Sequence, residues 1–301
     1  MKVLVYGVGG VGGFIGCFLE KTNYEITYVS RGERYNFIRN EGLILNSEIE
    51  NLKFKKLNIT NELNKGEHYD IIILTVKLYD FDNVLKEIKQ KVVGDYIILP
   101  FQNGIYAEEK IKNFFGIEKT FGAVAQISAH VDKNQTIQHV GKLATFFVGK
   151  YDGGSNDFLE SFCQNVQRCN LSIIYKDNIK EKIWEKFIFL SAYSGMTTLT
   201  EKTIGQIFEK KSLKSKFLSA MNEAFLLSKK FNVKFKRDPL AFWIEKINSM
   251  PYEMTSSMYL DFKSKKRLEL EWLSGSILNL GNTMNIESRI TSEIVSGIKA
   301  K

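Results

Sequence analysis

The first sixteen residues, Met1–Gly16, read MKVLVYGVGGVGGFIG and decide the fold of the chain. Lys2–Tyr6 is a short run of β-branched and apolar residues, which is typical of a buried parallel strand. Gly7, Gly9 and Gly12 follow with the spacing G-x-G-x-x-G, and apolar residues at helical spacing come after them. This order of strand, glycine turn and helix is the one that a dinucleotide pyrophosphate requires.

Each glycine of the turn has a predicted role. The first permits the tight turn, the second lets the backbone approach the phosphates, and the third lets helix and strand pack closely. The N-terminus of the following helix offers unpaired N–H groups and a partial positive charge to an anion. The alternative is a glycine-rich turn that only packs. The predicted cofactor contacts are Gly7, Val8, Gly9, Gly10, Val11 and Gly12.

Composition predicts a soluble globular protein of two domains. The chain has 301 residues, of which 44% are hydrophobic and 25% charged, and no run of about 18 apolar residues predicts a membrane span. The three cysteines, Cys17, Cys163 and Cys169, lack the spacing of a metal site. With no secretory signal in view, because glycines interrupt the apolar N-terminal run, we expect reduced thiols and a cytoplasmic location.

The net charge of +8 is unevenly distributed, since residues 1–177 are neutral overall and the whole excess lies in residues 178–301. Such an excess suits nucleic-acid binding, attraction of an anionic cofactor and substrate, or a solvated helical face. The basic runs Lys211–Lys216 and Phe262–Arg267 lack the interleaved aromatic residues of a base-stacking surface. We therefore do not expect a nucleic-acid partner.

The second strand, Glu25–Val29, ends at Arg31, with Arg34 close by. An acidic residue at this point of a dinucleotide fold bonds the ribose 2′-hydroxyl, whereas an arginine accommodates a 2′-phosphate. No Asp or Glu ends the strand, so the sequence predicts a preference for NADP(H). The alternative is an exposed surface arginine.

Two further strands end at candidate binding residues. Asp70–Val76 is an apolar run that leads into Lys77, and Tyr96–Leu99 leads into Asn103 and Gly104. Ligands of open α/β sheets lie beyond the carboxyl ends of the strands, so Lys77 and Asn103 are candidates for the site. Alternatively, each residue caps the next helix, and Asn103-Gly104 is a plain turn.

The predicted fold class is α/β, with a Rossmann-like dinucleotide-binding domain over residues 1–177 followed by an all-α domain over residues 178–301. In the first domain we expect two shorter strands within Glu41–Thr60, antiparallel strands at Thr120–Ser128, Thr136–Val140 and Leu143–Val148, a helix at Asn156–Cys169 and a last strand at Leu171–Tyr175. In the second domain we expect helices at Ile179–Tyr193, Leu213–Phe231, Pro239–Ile247, Thr255–Arg267, Glu269–Met284 and Thr291–Lys299.

Three sets of motifs together resemble the ketopantoate reductase (2-dehydropantoate 2-reductase) family. The first is the GVGGVG turn with the SRG that ends strand two, and the second is TVK (Thr75–Lys77) followed by QNG (Gln102–Gly104). The third pairs WEKF…TT (Trp184–Thr198) with SSMYLDFKSKKRLELEWLSG (Ser256–Gly275). The resemblance spans nearly the whole chain, and the combined motifs are specific although each alone is not.

The resemblance implies reduction of a 2-keto acid with NADPH, and a family lysine that acts as general acid matches Lys186. A protonated lysine can stabilise the negative charge that develops on the ketone oxygen and then donate its proton. The alternative is a surface lysine in a lysine-rich domain. By the same resemblance, Glu269 holds the nicotinamide ribose or the substrate hydroxyl, and Ser257 bonds the substrate carboxylate.

Other positions take their expected roles from the same resemblance. Asn103 would lie between cofactor and substrate, Lys77 near the nicotinamide, and Ser128, at the end of a strand, would make a backbone contact to the cofactor. Asp261 would make a structural contact between helices. No metal is expected.

The chain departs from the family on the substrate side. Two asparagines that usually follow the lysine at spacings of four and eight are Leu190 and Ser194 here, and a third corresponds to Ile204. The reaction type therefore carries over better than the substrate. The leading prediction is reduction of ketopantoate to pantoate for coenzyme A synthesis. A related reductase of a more apolar keto acid and a catalytically silent NADP(H)-binding protein stay open, as does a homodimer through the helical domain.

Overall fold

The computed structural model describes Met1–Lys301 and forms two compact units. The first unit comprises Met1–Gln102 and Ala107–Lys180, and the second comprises Asn103–Tyr106 and Glu181–Lys301. Asn103 therefore belongs with the helical unit, although in sequence it follows a strand of the first unit.

Ten strands and five helices precede the helical part of the chain, with a 3₁₀ turn at Ile117–Lys119. In chain order they are β1 (Lys2–Tyr6), α1 (Gly10–Leu19), β2 (Glu25–Val29), α2 (Gly32–Glu41), β3 (Leu43–Ser47), β4 (Leu52–Phe54), β5 (Asn58–Thr60), β6 (Ile71–Leu74), α3 (Leu78–Lys91), β7 (Ile97–Pro100), α4 (Tyr106–Phe115), β8 (Phe121–Val131), β9 (Ile137–Lys150), α5 (Asp157–Gln167) and β10 (Ser172–Tyr175).

A parallel five-stranded sheet carries the predicted dinucleotide fold. Its strand order is β5-β2-β1-β6-β7, with β1 at the centre between β2 and β6. All four residues of β6 are buried, as expected for an apolar strand covered on both faces. Because the strands are parallel, their carboxyl ends lie at one edge of the sheet, and the glycine turn leaves the central strand at that edge.

A second sheet has β9 at its centre, paired antiparallel with β8 and parallel with β3 and β10. The prediction of two strands at Thr136–Val140 and Leu143–Val148 is wrong, because β9 runs continuously from Ile137 to Lys150. Gly141, which lies between the two predicted strands, has φ +77° but interrupts only the register with β8. The expected two strands within Glu41–Thr60 are three, of which β5 joins the parallel sheet.

Helix α1 contains four glycines, and each lies where a side chain would collide with a different neighbour. A Cβ on Gly10 would lie 2.3 Å from the Ala129 carbonyl oxygen of β8, and one on Gly13 would lie 2.3 Å from Ile137 of β9. A Cβ on Gly16 would lie 2.6 Å from the Tyr28 ring of β2. The helix is therefore packed closely between the two sheets, within the main apolar core.

The second unit is helical throughout. Its elements are α6 (Ile179–Thr200), most of which belongs to this unit, α7 (Ile204–Glu209), α8 (Lys211–Lys230), α9 (Pro239–Asn248), α10 (Ser257–Lys263), α11 (Ser274–Thr283) and α12 (Arg289–Lys299).

Three helix predictions in this unit need correction. α6 extends seven residues beyond the expected end at Tyr193, because the residues that follow remain buried. The helix expected over Glu269–Met284 begins only at Ser274, since the backbone carbonyl of Glu269 accepts hydrogen bonds from Trp272 and Leu273 in a turn. α10 is shorter than Thr255–Arg267 because Ser256 caps its start, and because it ends at Lys263, just before Lys265, whose φ is +53°. No helix has the length and apolar character needed to cross a membrane.

Candidate cofactor and catalytic sites

The glycine turn between β1 and α1 leaves room for a ligand at one position only. Gly7 has φ +98°, and a Cβ there would lie 2.8 Å from the Val76 nitrogen. A Cβ on Gly12 would lie 2.1 Å from the Gly7 carbonyl oxygen. At Gly9, by contrast, no atom lies within 4 Å of the Cβ position. Because α1 also has no acidic residue in its first turn, the open space at Gly9 suits a pyrophosphate.

Residues of the TVK and QNG motifs make hydrogen bonds to the glycine turn and to the chain segment beside it. The Thr75 hydroxyl donates to the Gly7 carbonyl oxygen, and the buried Gln102 side-chain nitrogen donates to the Val76 carbonyl oxygen at 3.0 Å. Lys77 is half-buried and occupies the N-cap position of α3. Thr75 and Gln102 had no individual role in the prediction and appeared there only as members of the two motifs. In the structure, both hydrogen-bond backbone carbonyl groups in or beside the glycine turn.

Arg31 occupies the N-cap position of α2, directly after β2, and its side chain is 60% exposed. Its Nη2 donates to the Tyr6 hydroxyl at 2.8 Å and lies 3.1 Å from Glu87 Oε2. Glu87 belongs to α3, so the end of β2 does carry an acidic neighbour. Glu87 is 56 positions away from Arg31 along the chain, so no local pattern at the end of β2 indicates it.

Arg34, one helical turn further along α2, has a structural role. Its Nε donates to the Val8 carbonyl oxygen at 2.8 Å, and Nη1 donates to the Gln135 carbonyl oxygen. Burial lowers the pKa of Arg34 to about 10, so the guanidinium stays protonated at neutral pH. Nη2 is buried without a hydrogen-bond partner. Arg34 thus places a partly desolvated positive charge beside the glycine turn.

Ser128 lies within β8 rather than at a strand end, so that part of the prediction is wrong. The register with β9 shifts between Ile127 and Ala129, because Ile127 pairs with Ala144 whereas Ala129 pairs with His139, so the extra residues of this irregularity lie in β9, opposite Ser128. The neighbouring Ala129 carbonyl oxygen lies against Gly10 of α1. Bulges are frequent beside active sites because they redirect the backbone. The exposed Ser128 is therefore close in sequence to a strand segment that contacts the start of α1.

In the second unit, Lys186 and Asn103 come together. Lys186 is half-buried on α6, and its Nζ donates to Asn103 Oδ1 at 2.6 Å. Gly104 has φ +97°, and a Cβ there would lie 3.2 Å from the Trp272 carbonyl oxygen. Asn103 therefore lies in a tight turn packed against the segment that contains Glu269. Lys186 and Asn103, which both have roles implied by the resemblance, are therefore in direct contact.

Leu190 and Ser194 continue the stripe that begins at Lys186, because residues four apart lie on one face of a helix. Leu190 is half-buried, whereas Ser194 is 1% exposed and its hydroxyl has no hydrogen-bond partner. Thr198, one turn further, is also fully buried with an unpartnered hydroxyl. Ile204, the third departure from the family, is a buried residue at the start of α7.

Ser256 and Ser257 have different environments. The Ser256 hydroxyl accepts from the Tyr259 backbone nitrogen at 3.1 Å and shares a hydrogen bond of 2.7 Å with the Thr197 hydroxyl. Ser257 is the exposed first residue of α10. Glu269 is 9% exposed at the start of the turn before α11. The half-buried Asp261 lies within α10. No group of three or more His, Cys, Asp or Glu side chains is arranged to hold a metal ion.

Two family models match the chain. The model of ketopantoate reductase PanE/ApbA matches residues 3–153, and the model of its C-terminal region matches residues 178–301. The chain belongs to the ketopantoate reductase family. As a member of this family it is an oxidoreductase of the 2-dehydropantoate 2-reductase type, which acts on CH–OH groups.

Relatives of this ketopantoate reductase family member match it from end to end. It is 28% identical over 301 residues to a 2-dehydropantoate 2-reductase of Pyrococcus horikoshii, covering 100% of this chain and 97% of the relative. It is 24% identical over 301 residues to an uncharacterized oxidoreductase, YkpB, of Bacillus subtilis, covering 99% of this chain and 98% of the relative.

Solved structures of other proteins share the fold of this chain. A 2-dehydropantoate 2-reductase from Methylococcus capsulatus superposes with a TM-score of 0.87 at 19% identity, covering 100% of this chain and 96% of that chain. A ternary structure of D-mandelate dehydrogenase with NADH and anilino(oxo)acetate superposes with a TM-score of 0.89 at 19% identity, covering 100% and 97%. The predicted fold class, an α/β first domain followed by a helical second domain, is therefore confirmed.

Proposed function

We propose that the protein reduces a 2-keto acid to a 2-hydroxy acid with NADPH, and that ketopantoate is its substrate. The observation that carries the proposal is the 2.6 Å hydrogen bond from Lys186 Nζ to Asn103 Oδ1. An amide oxygen can only accept, so it orients the ammonium group without removing its proton. The open space at Gly9 and the N-terminus of α1 support the binding of a dinucleotide.

The bound cofactor supplies a hydride to the carbonyl carbon of the keto acid. Lys186 stabilises the charge that develops on the carbonyl oxygen and then transfers a proton to it, with Asn103 as its orienting partner. Glu269 is the proposed partner of the nicotinamide ribose or of the substrate hydroxyl. Ser257 is the proposed partner of the substrate carboxylate, because its neighbour Ser256 already bonds Thr197 and Tyr259.

In the first unit, Gly7–Gly12 would hold the pyrophosphate, Lys77 would lie near the nicotinamide, and the backbone at Ser128 would contact the cofactor. Arg31 would bond the 2′-phosphate of NADPH through the guanidinium nitrogens that Tyr6 and Glu87 do not use. A charge-assisted contact contributes about 1.5–3 kcal/mol, so we expect NADPH to bind about tenfold to a hundredfold more tightly than NADH.

A more apolar 2-keto acid is the second candidate substrate, and Leu190 is the observation that favours it. Leu190 takes the place of a family asparagine one helical turn after Lys186, and it cannot bond a substrate hydroxyl. The excess positive charge of residues 178–301 favours the approach of an anionic keto acid, whichever of the two candidates is the substrate.

The test is oxidation of NADPH or NADH, followed at 340 nm, with ketopantoate and a panel of 2-keto acids that lack the terminal hydroxyl. We expect turnover with NADPH and ketopantoate. If the more apolar keto acids were turned over faster than ketopantoate, a keto acid of that class would be the substrate. Binding of NADPH without turnover of any keto acid would establish a silent binding protein and contradict the proposal.

A further inference from the structure

Glu87 is the centre of a hydrogen-bonded cluster at the carboxyl edge of the parallel sheet. Its Oε2 accepts from the Tyr6 hydroxyl at 2.6 Å and from Arg31 Nη2 at 3.1 Å. Its Oε1 accepts from the Leu63 backbone nitrogen at 3.1 Å and from Lys91 Nζ at 3.2 Å. Four donors thus fix one carboxylate, whose side chain is only 13% exposed.

The carboxylate of Glu87 is ionised at neutral pH. Burial alone raises its pKa, but the hydrogen bonds from Tyr6, Leu63 and Lys91 outweigh burial and lower the pKa of Glu87 below its usual value. The Tyr6 hydroxyl keeps its proton, because burial and the adjacent Glu87 raise the pKa of Tyr6 despite Arg31. Glu87 therefore carries a negative charge, shared with Lys91, in contact with the arginine that faces the proposed 2′-phosphate.

We propose that Glu87 sets the cofactor preference of the enzyme by opposing the binding of a 2′-phosphate at Arg31. This inference rests on the proposed role of Arg31. The carboxylate neutralises part of the arginine charge, and it repels a phosphate that bonds the same guanidinium. NADH has no charge at this position and is unaffected. Glu87 thus narrows the difference in affinity between NADPH and NADH.

The contacts of Arg31 explain why the effect is electrostatic rather than steric. All its recorded hydrogen bonds use Nη2, so Nε and Nη1 are left to bond a phosphate while the side chain stays in place. Replacement of Glu87 by glutamine keeps the size and one acceptor oxygen. It removes the charge with little change in the position of Arg31.

The experiment measures dissociation constants for the full chain, the variants Glu87→Gln and Arg31→Ala, and the double variant. NADPH and NADH are titrated by nicotinamide fluorescence, and adenosine 2′,5′-bisphosphate and AMP by calorimetry, so no turnover is needed. Glu62→Gln is the matched control, because Glu62 also approaches Lys91 but has no recorded contact with Arg31.

We expect Glu87→Gln to tighten NADPH and adenosine 2′,5′-bisphosphate about tenfold and to leave NADH and AMP within about twofold. The gain should shrink at high ionic strength and vanish in the double variant. A folded Glu87→Gln protein with an unchanged or lower NADPH/NADH preference, while Arg31→Ala still abolishes that preference, would overturn the inference alone. An Arg31→Ala protein with the parent preference would overturn both the role of Arg31 and this inference.

Discussion

The glycine turn of the first unit is fixed by backbone contacts, whereas the stripe on α6 in the second unit is defined by its side chains. Gly12 has no room for even a methyl group, since the Gly7 oxygen lies 2.1 Å from its Cβ position. Lys186 and Leu190 are half-buried, so a change of side chain there requires no rearrangement of the backbone, whereas Ser194 is 1% exposed. A region that is fixed by backbone contacts constrains several glycines at once and therefore produces a recognisable sequence motif. A region that is defined by side chains can change at one residue without a change at the others.

The largest effect is expected at Lys186, which tests whether the α6 stripe is a catalytic surface at all. Lys186→Met keeps the length and apolar stem of the side chain and removes the proton donor. The turnover number should fall by about 10²–10⁴, the usual range for a positioned acid, while NADPH binding persists. Steady-state rates at 340 nm and fluorescence titration measure the two. Lys182→Ala, one turn earlier on α6, is the control, and parent-level turnover in Lys186→Met would rule out the assigned role.

Gly9 and Gly12 test the other side of the comparison, because they respond differently to the same added methyl group. Gly12→Ala should cost about 1–3 kcal/mol of folding free energy through overpacking, and so lower the melting temperature by several degrees. Gly9→Ala should fold normally, since its Cβ enters open space, but bind NADPH poorly. Thermal melts and NADPH titrations of both variants decide this. Tight NADPH binding by Gly9→Ala would show that the pyrophosphate lies elsewhere.

The departures at Leu190 and Ser194 sharpen the comparison on the substrate side. Each hydrogen bond to a substrate contributes about 0.5–1.5 kcal/mol, so the double change Leu190→Asn with Ser194→Asn should favour ketopantoate by about tenfold to a hundredfold. The measurement is the ratio of kcat/KM for ketopantoate to that for a keto acid without the terminal hydroxyl. Loss of activity on ketopantoate in the double variant would show that other residues bind the hydroxyl.

The smallest effects are expected at the two serines that begin α10. Ser256→Ala removes a cap and a buried hydrogen bond, which should lower stability by about 1 kcal/mol and the melting temperature by a few degrees. Ser257→Ala should leave the melting temperature unchanged and raise KM for the keto acid severalfold. If the two variants exchanged these effects, Ser256 would be the functional residue and the assignment of Ser257 would be wrong.

The sequence predicted those parts of the fold that depend on local pattern. The strand–turn–helix start, the parallel sheet and the helical second half follow from periodicity and glycine spacing. The continuity of β9 could not be predicted, because it depends on pairing with β8 on both sides of Gly141. The start of α10 depends on a cap at Ser256 that also bonds Thr197, which is 59 residues away.

The candidate site shows the same division. Lys186 was assigned through the family resemblance, and Asn103 through its place after a strand as well, but only the fold shows them 2.6 Å apart. Nothing in the sequence indicated a role for Glu87, since a glutamate on an amphipathic helix is ordinarily exposed to solvent. Its importance depends on Arg31 and Tyr6, which reach it from two other elements.

The four glycines of α1 also bear on the order of folding. Each glycine weakens an isolated helix by about 1 kcal/mol relative to alanine, so α1 is too weak to form early. It becomes stable when β8 and β9 close over it, through contacts more than a hundred residues away. We therefore expect a newly made chain to form α1 only after the hairpin of β8 and β9 has docked. Pulsed hydrogen exchange should show the amides of Phe14–Leu19 gaining protection together with those of β9, and earlier protection of α1 would contradict this order.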